Sequence, residues 1–240
     1  MEHTIGQPIA LSRGIGGRLG WLDTLAATCS SARVLEFTLE DLSAADVARL
    51  RDIYEPLTAS VRDLVDATIR TEADAETVAS VKRDIDAAVA RLRERQIDGA
   101  FGVRQTTSGE SVGWGNAVIG IRNALAPPVI TGRDDTGRVS ADFRLGAAYE
   151  GPPGHVHGGV SALILDHLLG EAASPDSKPR FTGSITVRYL RATRLGPLHA
   201  EAIRTRTEGV KTYCVGNIAD AEGITVEAEG VFIMPRWLRD

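Results

Sequence analysis

The stretch from Val160 to Leu169 constrains this chain more than any other part of it. Leu163, Ile164, Leu165, Leu168 and Leu169 make it a strongly apolar helix-like segment, which must be covered by another layer of structure. It carries one acid, Asp166, and a carboxylate among leucines is costly unless something holds it there. Directly before it runs Gly151-Pro152-Pro153-Gly154-His155-Val156-His157-Gly158-Gly159. The prolines stiffen the approach. Two glycines at a helix start leave bare N–H groups able to touch a polarised oxygen.

The surroundings are those of an ordinary globular chain. Of 240 residues, 43% are hydrophobic and 25% charged, enough for one good-sized domain or a domain with an extension. No apolar run reaches membrane-span length, and the N-terminus does not read as a secretion signal. Cys29 and Cys214 lie far apart in unlike contexts, so no disulfide framework is expected and a reducing cytoplasm suits the chain. The net charge of −5 sits entirely in residues 1–100, where 17 acids face 12 bases. That half is a poor match for a phosphate backbone, and nucleic acid is not expected as a partner.

Along the chain the apolar period changes once. Arg13-Gly14-Ile15-Gly16-Gly17-Arg18 suggests a flexible arm, with Trp21, Leu22, Leu25 and Phe37 available to dock. Ser43 and Asp46 resemble a capping box ahead of Val47, Leu50 and Ile53 at helical spacing. Pro56 should break or kink that helix, although Leu57, Val61, Leu64 and Ile69 continue its period. A second helix shows Val78, Val81, Ile85, Val89 and Leu92, and Gly99 ends it. This helical hairpin is too small for a core of its own and should pack on the rest of the chain or on a partner. Beyond it, Arg138–Leu145 alternates as a strand. Four more strands are expected after the central helix, at Phe181–Leu190, Leu198–Thr205, Thr212–Ala219 and Thr225–Met234. Strand, helix and a four-strand meander predict an α+β antiparallel sheet with one helix along a face.

The run from Tyr149 through His157-Gly158-Gly159, with Asp166 nine residues after the histidine and strands on either side, resembles the hotdog-fold acyl-CoA thioesterases, in particular their PaaI/THEM4-like branch. The similarity spans roughly residues 116–235 and includes Asn123-Ala124-Leu125-Ala126-Pro127-Pro128. It implies a hotdog fold, an antiparallel sheet wrapped around a central helix, over residues 101–240. Residues 1–100, the arm and the helical hairpin, would be an extension. It also implies a homodimer, or a dimer of dimers, whose sites take the helix-start amide from one subunit and the acid from the other. Carried over, Gly159, with Gly158 and His157 beside it, polarises the thioester carbonyl. Asp166 acts as general base or nucleophile, and Thr182 supplies a hydroxyl near the acid. No cofactor is implied, since coenzyme A is part of the acyl-CoA substrate.

The chemistry is coherent by itself. Amide donors at a positive helix end stabilise the charge that develops on a thioester oxygen, and a thiolate leaves without a protonating acid. Arg188, Arg191, Arg194 and Lys211 are candidates for the phosphates of CoA, against a plain reading as a solvated strand face. Ile119 and Leu125 could border the acyl group. The glycine pair could instead serve close helix packing, and Thr182 could be an ordinary strand residue. His155, His157 and His167 make no convincing metal set, so no metal is expected. Cys214, inside a strand, reads as core filling, and no Gly-x-Ser-x-Gly elbow occurs. Two rivals stand beside the enzyme: a non-catalytic acyl-CoA-binding or sensor protein of the same fold, and a hydratase or dehydratase.

Overall fold

The structure, a computed structural model, describes residues 38–40, 42–107, 111–175 and 178–239. The expected arm at 1–37, with its Gly-rich run, Trp21 and Cys29, lies outside the described residues. A short strand, β1 (Thr38–Glu40), precedes the first long helix, α1 (Ala44–Arg70). Ser43 and Asp46 close the capping box as the spacing predicts: the Ser43 hydroxyl accepts from the Asp46 N–H, and the Asp46 carboxylate accepts from the Ser43 N–H, both at 3.2 Å. Pro56 does not end this helix, which runs through it for 27 residues. The apolar period crosses the proline without interruption, and a face packed against the rest of the chain outweighs one lost backbone bond.

The second helix, α2 (Ala75–Arg93), is capped by Asp74 and buries none of its residues. Val78, at 49% exposure, and Leu92, at 54%, leave its apolar stripe open. The extension is also not cleanly bounded near Gly99. β1 pairs in parallel with β2 (Arg104–Thr106), and β2 pairs with β3 (Ser111–Val112). A small core of Val47, Val112 and Trp114, flanked by Leu50, Tyr54 and Phe101, joins α1 to the segment that follows the hairpin.

The main sheet has six antiparallel strands. In chain order they are β4 (Gly132–Arg133), β5 (Val139–Leu145), β6 (Phe181–Tyr189), β7 (Gly196–Glu208), β8 (Lys211–Asp220) and β9 (Gly223–Ile233). The helix α3 (Gly158–Ala173) touches all five long strands, so the sheet curls around it. In β5, Val139, Ala141, Phe143 and Leu145 are buried in the predicted alternation. From α3, Ile164, Leu165, Leu168 and Leu169 are wholly buried, each stabilising the fold by roughly 1.5–3 kcal/mol.

The expected four-strand meander is corrected in one respect. The spatial order is β4-β5-β7-β8-β9-β6, so β6 lies beyond β9 at the far edge and does not pair with β7. The curled sheet brings both of its sides to α3. The chain leaving the helix therefore joins the side opposite β5, which already occupies the edge of β7.

Candidate active site

Residues 147–159 are held from two sides. The His157 N–H donates to the Tyr149 carbonyl at 2.9 Å, and the Val156 N–H to the Thr193 carbonyl at 2.8 Å. Within the loop, the Gly154 N–H donates to Glu150 Oε1 at 2.6 Å and the His155 N–H to the Pro152 carbonyl at 2.8 Å. Gly154 has φ +72°, the left-handed region that glycine adopts freely. At Gly151 a Cβ would lie 2.7 Å from the His157 Cα, so the loop can close over its own exit only with glycine there.

His157 is the N-cap of α3, and its ring Nδ1 accepts from the Gly159 N–H at 3.0 Å. That bond bears on the amide expected at the helix start. The Gly159 amide, put forward as the donor to a carbonyl oxygen, is occupied by the cap. The Gly158 N–H has no acceptor among the described residues, and its carbonyl accepts from the Tyr189 hydroxyl at 2.8 Å. His157 is thus a structural acceptor for Gly159, and Gly158 presents the open amide at the positive end of the helix.

Asp166 is half-buried on the flank of α3 that faces β6. Its Oδ1 accepts from the Thr182 hydroxyl at 2.8 Å. Thr182 reaches it because of a bulge. The β6–β9 register skips between Thr182 and Ser184, leaving Gly183 extra. At Gly183 a Cβ would come within 2.8 Å of the Ile233 side chain. Thr182 therefore stands opposite buried Phe232, while Tyr189, at the other end of the strand, stands opposite buried Val226. Both face the helix, one at its acid and one at its start. Tyr189 was not found from the sequence, since simple alternation over the seven residues from Thr182 puts the two on opposite faces.

The remaining histidines are used locally. His155 Nδ1 lies 2.8 Å from the Pro153 carbonyl, and His167 Nε2 lies 3.2 Å from Glu171 Oε1, one turn along α3. Among the described residues no group of three or more His, Cys, Asp and Glu side chains converges. Cys214 is 1% exposed, and burial pushes its thiol up to about 11, the setting of a core residue.

Each of the arginines expected at the phosphates has a carboxylate neighbour. Arg191 donates to both Asp220 oxygens, at 2.8 and 2.5 Å, and to the Gly223 carbonyl at 2.9 Å. It ties the β6–β7 connection to the β8–β9 turn with three of its five N–H donors. Arg194 lies 3.1 Å from Glu222, and Arg188 a looser 3.6 Å from Glu227, both well exposed. Lys211 is exposed at the start of β8. Hydrogen bonds from Arg191 hold the Asp220 carboxyl down to about 2, from an ordinary 3.8. A depressed folded value means stability present above 3.8 and lost as pH falls towards 2. Asp220→Asn is therefore expected to cost about 1–3 kcal/mol at neutral pH. The variant and the natural protein should converge in denaturant titrations as pH falls through that window. A constant offset at every pH would contradict this account.

The comparisons with known proteins agree with this architecture. The family profile described as Thioesterase superfamily matches residues 153–227, from the Pro–Gly loop through α3 into β9. The solved crystal structure of a thioesterase superfamily protein superposes with a TM-score of 0.68 at 34% identity, covering 82% of this chain and 94% of that one. Acyl-coenzyme A thioesterase THEM5 of Homo sapiens is 28% identical over 94 residues, and so is its Mus musculus counterpart. Each of these matches spans 38% of this chain and 38% of the relative. At 34% identity over 94% of that solved chain, with the family profile matching α3 and the strands after it, this chain belongs to the thioesterase superfamily and has its hotdog fold.

Proposed function

We propose that the chain hydrolyses acyl-CoA thioesters to a free carboxylic acid and CoA, in a site that two copies complete together. One observation carries the reading. Gly158 and Asp166 lie eight residues apart on one helix, about 12 Å along its axis, too far to act on one carbonyl. A second copy must supply one of them. The flank between α3 and β6 suits that copy. Strand β6 is a nine-residue edge. Leu163, Phe181, Tyr189 and Leu190 around it are 38–52% exposed, an apolar edge of the kind that natural proteins cover. Joining two β6 edges antiparallel sets the two α3 helices side by side in opposite directions, so each Asp166 approaches the other copy's helix start.

In that arrangement the thioester oxygen accepts from the Gly158 N–H of one subunit. The Asp166 carboxylate of the other takes a proton from water, and the water oxygen bonds to the carbonyl carbon. Charge builds on the oxygen facing Gly158, where a preorganised donor acts most strongly. The C–S bond then breaks, the thiolate leaves with the electron pair and takes up the proton, and the acid is released. Thr182 aims Asp166, because its hydroxyl donates to Oδ1 and fixes the carboxyl on that side of the helix. If Asp166 attacks the carbonyl carbon directly, the C–S bond breaks to expel the thiolate and leaves an acyl-aspartyl anhydride, which water then hydrolyses to the free acid and the restored carboxylate. Heavy oxygen found in Asp166 after one turnover in labelled water marks that route.

Arg194 adjoins His155 through an isolated β-bridge and stands beside the Pro–Gly loop, which makes it the best placed of the arginines for CoA. Arg194→Ala should raise KM for acyl-CoA about tenfold, the equivalent of 1.4 kcal/mol, and leave KM for the matching acyl-pantetheine unchanged. Equal effects on both would remove Arg194 from the nucleotide end. The test of the reading as a whole is thiol release from a panel of acyl-CoAs. Saturable turnover supports it, while tight binding without release would make the protein an acyl-CoA-binding module.

A further inference from the structure

A cleft of about 880 Å³ opens where α1 and the end of α2 meet the segment 99–124. It is remote from the site described above in composition: none of Gly158, Asp166 or Thr182 lines it. One wall is apolar and aromatic, with Tyr54, Leu57 and Val61 from α1 facing Phe101 and Trp114. The rings are mutually packed, Phe101 stacked on Trp114 at 6.1 Å and Tyr54 tilted to it at 6.3 Å. Three arginines, Arg95, Arg104 and Arg122, also line it, and among the described residues no aspartate or glutamate does.

The Arg122 guanidinium lies 3.7 Å from the centre of the Tyr54 ring and 5.4 Å from that of Phe101. It makes no ion pair with a carboxylate among the described residues. A guanidinium drawn over a ring still has N–H donors for a planar anion. Beside it the walls stay uncovered: Leu57 is 40%, Val61 38% and Leu92 54% exposed. The volume falls in the range of small-molecule sites, roughly 300–1,000 Å³.

We propose that this cleft binds an amphiphilic carboxylate, a medium-chain fatty acid or an acid of similar shape. The carboxylate would lie on the edge of the Arg122 guanidinium, with the tail along Tyr54, Leu57 and Trp114. Charge complementarity selects this occupant. A neutral lipid leaves the arginine without a partner, and a nucleic acid needs an extended cationic stripe that the acid-rich extension does not offer. The bidentate fork of arginine matches a carboxylate.

The test is calorimetric titration of the full chain with sodium decanoate below its micelle concentration, and with decanol. One decanoate should bind per chain, and decanol at least about tenfold more weakly. Arg122→Gln should weaken decanoate binding by about tenfold without moving the decanol result, and Arg122→Lys should recover part of it. Leu57 and Arg122 are both exposed, so the fold should survive either substitution; a second variant, Leu57→Glu with Arg122 intact, should abolish decanoate binding. Asp166→Asn should bind decanoate as the natural protein does, which keeps this proposal separate from the proposed hydrolysis. Equal affinity for decanol, or no effect of Arg122→Gln, would overturn it. So would loss of binding in Asp166→Asn. A change of sedimentation on adding decanoate would instead identify the cleft as an interface between copies of the chain, and the proposal would fail.

Discussion

Asp166→Asn is expected to lower kcat for acyl-CoA hydrolysis by about 10²–10⁴-fold, the usual contribution of a positioned general base. The substitution is close to isosteric. An asparagine oxygen can still accept from the Thr182 hydroxyl at the position where Asp166 Oδ1 does so at 2.8 Å, so the side chain keeps its aim and loses only its ability to take a proton. KM and the thermal midpoint should therefore move little. Steady-state thiol release checks the first, and a melting curve the second. Turnover within about threefold of the natural protein would remove Asp166 from the chemistry, since a base contributes well beyond that factor.

Gly158→Pro should have an effect of nearly the same size for a different reason. Proline there removes the N–H that has no acceptor within the described chain. The position tolerates proline unusually well. It is the first residue of α3, where the ring suits the helix, and the preceding His157 is extended at φ −61°, ψ 131°, as a residue before proline should be. The nearest obstacle is the Tyr189 ring, 3.3 Å from a Cβ at this position, on a side chain that is 52% exposed and able to shift. The expected loss in kcat is about 10²–10³-fold, or 2.7–4 kcal/mol, as for one removed oxyanion donor. Gly159→Pro removes the bond to His157 Nδ1 instead. It should register first as about 0.5–2 kcal/mol of stability, the value of a helix cap.

The two variants together test the shared site. Equal amounts of Asp166→Asn and Gly158→Pro subunits, unfolded and refolded together, form mixed dimers for half of the population. Each mixed dimer then has one site with both natural groups, so about a quarter of full activity should return. A site built within one subunit would recover nothing.

Much of this site was readable because its parts are local. The apolar run around Asp166, the Pro–Gly approach and the glycine pair sit within about twenty consecutive residues. The strand β5 was equally legible, since Val139, Ala141, Phe143 and Leu145 answer to a period of two that one buried face imposes. The capping box at Ser43 is a three-residue signal and was found as such. Pro56 did not break its helix, because its local preference was opposed by a packed face that sequence period alone only hints at.

What the amino-acid order determined by itself was the kind of each element and the place of the acid and the glycines, because those depend on neighbours within a turn or a strand. The tertiary structure alone decided which amide is open, since the His157 ring meets Gly159 in a loop whose backbone is held by the Tyr149 and Thr193 carbonyls. It also decided that Arg191 belongs to Asp220, that β6 takes the far edge, and that Thr182 and Tyr189 share a face through the Gly183 bulge. Each of these is a pairing between distant segments, and distance along the chain carries no record of such contacts.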